Sequence, residues 1–302
     1  MNGAAAQYDP FPAIPENAAS GETAELFDDI RATLGVPVVN LIWRHLAILP
    51  GALGPAWLSV KPLYASGEVA RLALALRNRI QVPEPSVAGA EMHYPPEDRA
   101  VIRTIFRSYE RSNAMNLVGL GALLAMADGK EGASEAIGGL RRARLSDDTE
   151  EGEVLGRMPE PLTVAAMSPD AQPLALQLAP IGGGGDVMPT IYRHLAHWPG
   201  VLEQCLHVLL PLEQDGSLQC SISATLYDSQ SIGRELMTTR KPGTEIAQGA
   251  LSREATAAIQ HFVDAMICKM VVIVAVLGKA FPQFSGPARQ AVASSKPAPE
   301  DT

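Results

Sequence analysis

Hydrophobic residues along most of this chain recur at the three- and four-residue spacing of α-helices. In the clearest case, Leu26, Ile30 and Leu34 repeat every four residues and acidic side chains take the opposite face. This pattern predicts an amphipathic helix over 21–34, ended by the Gly35-Val36-Pro37 sequence. No stretch shows the sustained apolar–polar alternation of a half-buried strand. The sequence therefore predicts an all-α fold.

The same spacing predicts the remaining helices, at 38–49, 53–64, 68–79, 98–127, a helix up to Trp198, 201–212, 219–238 and 252–277. The most apolar run, 266–277, is interrupted by Lys269. This run is too short for a bilayer span, which needs about 20 residues. We therefore expect a buried core helix there.

One sequence pattern occurs twice. The run Arg-His-Leu-Ala, two variable residues and Pro-Gly begins at Arg44 and again at Arg193, and the match continues without gaps to Gly67 and Gly216. Its period is far longer than the roughly 20–50 residues of solenoid units. We therefore predict two homologous helical repeats forming a pseudo-dimer, with an N-terminal arm at 1–20, repeats at 21–128 and 176–285, a linker at 129–175 and a disordered tail at 286–302.

Composition narrows the classes of partner. The net charge of −9 and the lack of a basic cluster argue against nucleic acid and anionic membranes. The 3 cysteines are an odd number without metal-ligand spacing, which favours free thiols in a reducing cytoplasm. No basic region followed by an apolar one marks the N-terminus, so we expect no signal peptide.

The repeat pairs several residues that could carry chemistry. Arg44 pairs with Arg193, whose planar guanidinium groups suit a carboxylate. His45 pairs with His194, and histidine suits proton transfer near neutral pH. An aromatic residue precedes each arginine, Trp43 in one repeat and Tyr192 in the other. The alternative is that these side chains only tie helix ends together.

Aligning Phe106 with Phe262 places Asn113 opposite Lys269 in the last helix of each repeat. Asparagine offers a donor and an acceptor for a water molecule or a carbonyl oxygen. A buried lysine has a lowered pKa and can act as a base or as an anion partner. The alternatives are a helix-interior contact for Asn113 and a surface lysine with a buried stem for Lys269.

Other motifs are weaker. The glycine run before Asp186 lacks the frame of a phosphate-binding loop, so a flexible helix entry is the better interpretation. His194 and His197 share a helical face, but no carboxylate is placed to complete a metal site. The sequence contains no nucleophile-elbow motif. We therefore expect no metal and no cofactor.

Several segments together resemble the group I DL-2-haloacid dehalogenases, over residues from about 10 to 280. The matching segments are Phe11-Pro12, Ser20-Gly21-Glu22, 29–34, Val36-Pro37, Arg44, Leu46-Ala47, Pro50-Gly51, Asn113, Leu195-Ala196 and Trp198-Pro199. The resemblance implies an all-α fold of two repeats with an active site between them, in a homodimer. It also implies cofactor-free removal of halide from 2-haloalkanoic acids, by a water that an aspartate and an asparagine activate.

The resemblance carries over unevenly. Asn113 falls on the water-holding asparagine and Thr190 on a small hydroxyl residue beside the catalytic aspartate, but Ile191 stands at the aspartate position. Isoleucine cannot accept a proton, so Asp186, His45 or His194 would have to act as the base. The predicted catalytic residues are Asn113, His194 and Asp186, and the predicted substrate-binding residues are Trp43, Arg44, His45, Thr190, Ile191, Tyr192, Arg193 and Lys269.

Two functions therefore stay open at this stage. The first is a hydrolase in which an activated water attacks a small 2-substituted carboxylate without a covalent intermediate. The second is a non-dehalogenating protein, or an enzyme of other chemistry, that binds a small carboxylate or an apolar small molecule on the same scaffold. A third possibility is a purely structural homodimer, which no sequence feature supports beyond the resemblance itself.

Overall fold

The computed structural model describes residues 12–84, 92–127, 154–183, 187–238 and 251–284. Over these residues the chain forms helices and turns without a strand, which confirms the predicted all-α class. The helices are α1 (Gly21–Leu34), α2 (Leu41–Leu46), α3 (Leu53–Ala65), α4 (Glu68–Arg79), α5 (Pro96–Ala127), α6 (Ala171–Leu178), α7 (Thr190–Leu195), α8 (Pro199–Gln214), α9 (Ser217–Thr238), α10 (Arg253–His261) and α11 (Cys268–Ala280).

Helix α5 is the centre of the molecule, because α3, α4, α9 and α11 all pack against it. Its closest neighbour is α9. A Cβ atom built on Gly233 of α9 would lie 2.8 Å from the Gly121 carbonyl carbon of α5, so only glycine permits this approach. The side chains of α5 from Ser112 to Leu120 are all buried. A polar residue in this stretch therefore faces other helices.

The C-terminal helical segment belongs to the core. Arg253–Ala280 is continuous and long and apolar enough to cross a membrane, but 78% of its most apolar window is buried inside the fold. This burial favours a core helix, as the sequence predicts. Phe262–Ile267 in its middle forms a π-helical turn between α10 and α11. Lys269 follows this turn with 2% of its surface exposed, so the surface-lysine alternative is wrong.

Matched local features occur at matched positions of the predicted repeats. Pro62 lies inside α3 and Pro211 inside α8. Gly67 and Gly216, which follow these helices, have left-handed φ angles of 75° and 77° that favour glycine. The pseudo-dimer of whole repeats stays a prediction.

Two boundaries differ from the sequence-based expectation. Helix α2 covers only Leu41–Leu46 instead of 38–49, and Asn40 before it is extended with a ψ of 150°. Helix α6 begins at Ala171, inside the stretch for which the sequence predicts a linker. The predicted linker is therefore partly helical at its C-terminal end.

Candidate functional site

A cavity of about 60 Å³ lies where α2, α5, α7 and the π-helical turn meet. Most of its wall is apolar, formed by Leu41, Ile42, Val187, Pro189, Ile191, Phe262, Met266, Ile267 and Met270. Five polar side chains also line it, namely Asn40, Tyr109, Asn113, Thr190 and Lys269. An apolar cavity with a few converging polar groups is typical of a small-molecule site.

Two buried amides face each other at one wall. Asn40 Nδ2 donates a hydrogen bond to Ser112 Oγ at 2.9 Å and lies 3.5 Å from Asn113 Oδ1. Asn40 Oδ1 and Asn113 Nδ2 have no partner among the described residues. A buried polar atom without a partner costs free energy, about 1–3 kcal/mol. Two residues of the cavity wall therefore each contain one buried, unpaired polar atom.

Lys269 also lines this cavity. Its Nζ donates to the carbonyl oxygens of Ala179 and Gly183, just after the C-terminal end of α6. Burial lowers the pKa of its ammonium group to about 8, against a smaller opposing effect of Glu213. The group is therefore mostly charged at neutral pH, in a position where charge is poorly solvated and an anion would stabilise it.

The π-helical turn shapes the apolar wall. Its hydrogen bonds run from each residue to the fifth residue along, so residues four and five positions apart share a face. Phe262, Met266 and Ile267 have this spacing and all line the cavity. Nothing in the amino-acid pattern predicts such a turn, so sequence reasoning missed this part of the site.

Tyr109 connects the cavity to a group of basic side chains. Tyr109 and Thr190 both line the cavity, and burial raises the pKa of the Tyr109 hydroxyl, while the charges of Arg44 and Arg193 oppose this. Burial lowers the pKa of Arg44, and the charge of Arg193 acts in the same direction. Neither arginine is among the lining residues of the cavity.

Both arginines and both paired histidines hold the segments that run past α2 and α7. Arg44 Nε donates to Val39 O at 3.1 Å and Arg193 Nε to Leu162 O at 2.7 Å. The carbonyl oxygens of the same arginines accept hydrogen bonds from Ile14 N and Leu162 N, each at 3.1 Å.

The histidines act in the same way. His45 Nδ1 lies 2.7 Å from Pro12 O, and His194 Nδ1 lies 2.9 Å from Pro159 O. The His194 ring packs edge-on against Tyr109 at 5.8 Å. Burial lowers the pKa of His194 to about 3, so the ring is neutral at ordinary pH and a weak base. These contacts match the alternative in which the Arg-His pairs tie segments together.

Trp43 and Tyr192, the aromatic residues before the paired arginines, differ in their hydrogen bonds. Trp43 Nε1 donates to Asn116 Oδ1 at 3.1 Å, and the Tyr64 hydroxyl donates to the same oxygen at 3.1 Å. The Tyr192 hydroxyl has no partner among the described residues, and burial raises its pKa. Both aromatic rings are buried core side chains.

The structure thus brings four of the predicted site residues into the cavity wall, Asn113, Thr190, Ile191 and Lys269. Six others lie outside its lining, Trp43, Arg44, His45, Tyr192, Arg193 and His194. Asp186 lies outside the described residues. Sequence reasoning missed Asn40 and Tyr109, although Asn40 directly precedes the repeated helix. In the described part of the chain no group of three or more His, Cys, Asp or Glu side chains could hold a metal ion.

Comparison with known proteins shows what this fold resembles. No protein-family model and no curated protein sequence matches the chain. Among solved structures, a D-2-haloacid dehalogenase mutant in complex with D-2-CPA matches with a TM-score of 0.61 and 19% identity, over 90% of this chain and 94% of that chain. A D-2-haloacid dehalogenase with L-LA matches with a TM-score of 0.60 and 20% identity, over 90% and 95%. The chain therefore has the all-α fold of the haloacid dehalogenases.

Proposed function

We propose that the cavity between α2, α5, α7 and α11 binds a small 2-substituted carboxylic acid. One observation carries the proposal: Lys269, Asn113 and Asn40 line the same cavity, and Asn113 Nδ2 and Asn40 Oδ1 have no hydrogen-bond partner among the described residues. A carboxylate would neutralise the ammonium group and accept a hydrogen bond from the amide. The dehalogenase-like fold supports the same ligand class, because a D-2-haloacid dehalogenase of this fold was solved with D-2-CPA.

In the hydrolytic form of this function, the side-chain amides of Asn40 and Asn113 hold the water molecule that attacks the acid. The water oxygen forms a bond to C2, the bond from C2 to the halide breaks, and the halide leaves with the electron pair. A base takes the water proton, and Asp186 remains the predicted base. His194 is the poorer choice because its pKa is lowered to about 3 and it does not line the cavity.

Chloride release from DL-2-chloropropionate tests this hydrolytic form. We expect wild-type protein to release chloride and Asn113→Ala to lose at least about 100-fold in rate, as for removal of one positioned polar group in other active sites. A wild-type rate equal to that of buffer, across several 2-haloacids, would end the proposal that the chain is a hydrolase.

A second candidate function is binding of the acid without turnover. The isoleucine at the expected aspartate position favours it, because Ile191 gives the cavity wall an alkyl group where a base is required. None of the described lining residues is a carboxylate. Saturable binding of 2-chloropropionate by calorimetry, without chloride release, would distinguish this function from hydrolysis.

We further propose that the protein works as a cytoplasmic homodimer. The support is the sequence resemblance to the group I dehalogenases, together with free thiols at Cys205, Cys220 and Cys268. Light scattering of the purified chain should give twice the mass of 32.0 kDa. A monomer mass at micromolar concentration would contradict the proposed dimer.

A further inference from the structure

Lys269 is a buried amine that has no carboxylate partner in the part of the chain that the structure describes. Only 2% of its surface is exposed, and none of the described carboxylates lies within ion-pair distance of its Nζ. The two buried arginines of the described residues, Arg77 and Arg107, instead both form ion pairs with Glu110. Because a buried charge without a counter-charge costs free energy, stability alone gives no reason for a lysine at this position.

Two backbone carbonyl oxygens hold the Lys269 nitrogen. Its Nζ donates to Ala179 O at 3.3 Å and to Gly183 O at 2.5 Å. An ammonium group has three N–H donors, and the third has no acceptor among the described residues. Loss of this third proton leaves a neutral amine that keeps both hydrogen bonds and has a free lone pair. Burial favours the neutral form because it lowers the pKa of the group to about 8, against a smaller opposing effect of Glu213. About one molecule in ten therefore carries the neutral amine at pH 7.

The surroundings of Lys269 suit the reaction of an amine with a carbonyl group. Lys269 lines a mostly apolar cavity together with Asn113 and Asn40. A lysine that an apolar pocket keeps poorly solvated is the usual nucleophile for imine formation. The unpaired Asn113 Nδ2 is a donor of the kind that binds a carbonyl oxygen, and the unpaired Asn40 Oδ1 is an acceptor for the hydroxyl group that this oxygen becomes.

We propose that Lys269 is a nucleophile whose amine forms an imine with a carbonyl compound, an aldehyde or a 2-oxo acid, that enters the cavity. The nitrogen lone pair forms a bond to the carbonyl carbon, the π electrons of the C=O bond move to oxygen, and one proton passes from nitrogen to oxygen. The lone pair of nitrogen then forms the C=N bond as the C–O bond breaks, and the oxygen takes the second amine proton and leaves as water. The reaction needs no oxidant, no reductant and no carboxylate, so it is independent of the proposed function.

Trapping of the imine with borohydride tests this proposal. The full chain is incubated at pH 7 with propionaldehyde or with pyruvate and reduced with sodium borohydride, which converts an imine to a stable secondary amine. Peptide mapping by mass spectrometry then locates the modified lysines. We expect at least about tenfold more adduct at Lys269 than at Lys61 and Lys279, partly exposed lysines that pair with Asp29 and Glu84 and report the background rate. Equal modification of the three lysines, or no adduct at Lys269 with either compound, would overturn the proposal.

Two variants separate Lys269 from the background. Lys269→Met has a side chain of similar length without an amine, so total trapping should fall to the level of the exposed lysines. Lys279→Met is the matched control, because Lys279 belongs to the same helix α11 but does not line the cavity, and it should leave the adduct at Lys269 unchanged. If Lys269→Met does not fold, the wild-type peptide map still gives the result.

Calorimetry with 2-chloropropionate, which has no ketone or aldehyde group, reports on the proposed function separately. Binding of this acid without trapping of either carbonyl compound at Lys269 would overturn the imine and leave the carboxylate site standing. Trapping of propionaldehyde at Lys269 without binding of the acid would support the imine and contradict the carboxylate site.

Discussion

Asn40 Nδ2 and Asn113 Oδ1 lie 3.5 Å apart at the wall of the cavity, and the other polar atom of each amide has no partner in the part of the chain that the structure describes. The fold thus tolerates a buried donor and a buried acceptor at one place. Buried polar atoms are nearly always paired in native proteins, so these two unpaired atoms in residues of the cavity wall support the proposed binding function. Three residues further along α5, Asn116 accepts two hydrogen bonds and provides a structural comparison.

Replacing Asn113 should affect ligand binding more than stability. In Asn113→Leu a buried amide with an unpaired Nδ2 and only one long hydrogen bond, from Asn40 Nδ2 at 3.5 Å, becomes an apolar group of similar size, so the free energy of unfolding should change by less than about 1 kcal/mol. The affinity for a small carboxylic acid should fall at least about tenfold, because one charge-assisted hydrogen bond is lost. Urea unfolding and calorimetry measure the two quantities.

Asn116→Leu is the control for that experiment. It removes the acceptor of two buried donors, Trp43 Nε1 and the Tyr64 hydroxyl, so unfolding should become easier by about 2–4 kcal/mol. Equal destabilisation by the two variants would mean that Asn113 is a structural residue.

Restoring a carboxylate to the cavity should create or increase dehalogenation. Ile191 lines the same cavity as Asn113, and the sequence resemblance aligns it with the family's catalytic aspartate, so we propose that Ile191→Asp supplies the missing proton acceptor. We expect chloride release from 2-chloropropionate at least about tenfold above wild type, at a stability cost of about 2–4 kcal/mol for the buried charge. Ile191→Asn, which cannot take the proton, should show the wild-type rate. No gain in Ile191→Asp would show that the position is not equivalent to the family aspartate.

The hydrophobic pattern was sufficient to predict the fold class, because core positions of a helix recur with a fixed period. The spacing of Leu26, Ile30 and Leu34 predicts a helix over 21–34, the bounds that α1 has. The alignment of the two repeats also predicts Asn113 and Lys269 as candidate site residues, and both line the cavity.

The rest of the site depends on features that local sequence does not encode. No residue type or spacing in the sequence marks the π-helical turn at Phe262–Ile267. Asn40 reaches the cavity only because the chain is extended just before α2. In the sequence the Arg-His pairs are candidates for chemistry, yet Arg193 and His194 form hydrogen bonds with the backbone carbonyl oxygens of Leu162 and Pro159, which only the tertiary structure brings near.

Binding of carboxylates should weaken at alkaline pH through Lys269. The pKa of this ammonium group is lowered to about 8 by burial, and only the protonated form attracts an anion. The affinity should therefore be constant from about pH 6 to 7 and fall up to about tenfold per pH unit above 8. Lys269→Met, of similar length but uncharged, should bind weakly at every pH. An affinity for wild type that does not change between pH 6 and 10 would contradict this role of Lys269.

The buried His194 should make the fold sensitive to acid. Burial lowers its pKa from 6.5 to about 3, and the charges of Arg44, His197 and Arg193 act in the same direction. Below pH 6.5 the unfolded chain therefore takes up a proton that the folded chain does not, so the folded state loses stability as the pH falls toward 3. At about 1.4 kcal/mol per unit, the loss from this group between pH 6.5 and 4.5 is about 2–3 kcal/mol.

Urea unfolding of wild type and His194→Gln at pH 6.5 and 4.5 isolates the stability loss that is due to His194. The contributions of all other titratable groups are the same in both proteins and cancel in the difference. The glutamine amide can still donate to Pro159 O but does not titrate, so the variant should lose about 2–3 kcal/mol less than wild type on acidification. His197→Gln, three residues further at an exposed position, should behave like wild type, because a solvated side chain has little burial free energy to lose. If His194→Gln loses as much stability as wild type, the His194 ring is not the group that the fold holds neutral, and its contact with Tyr109 must then open in acid.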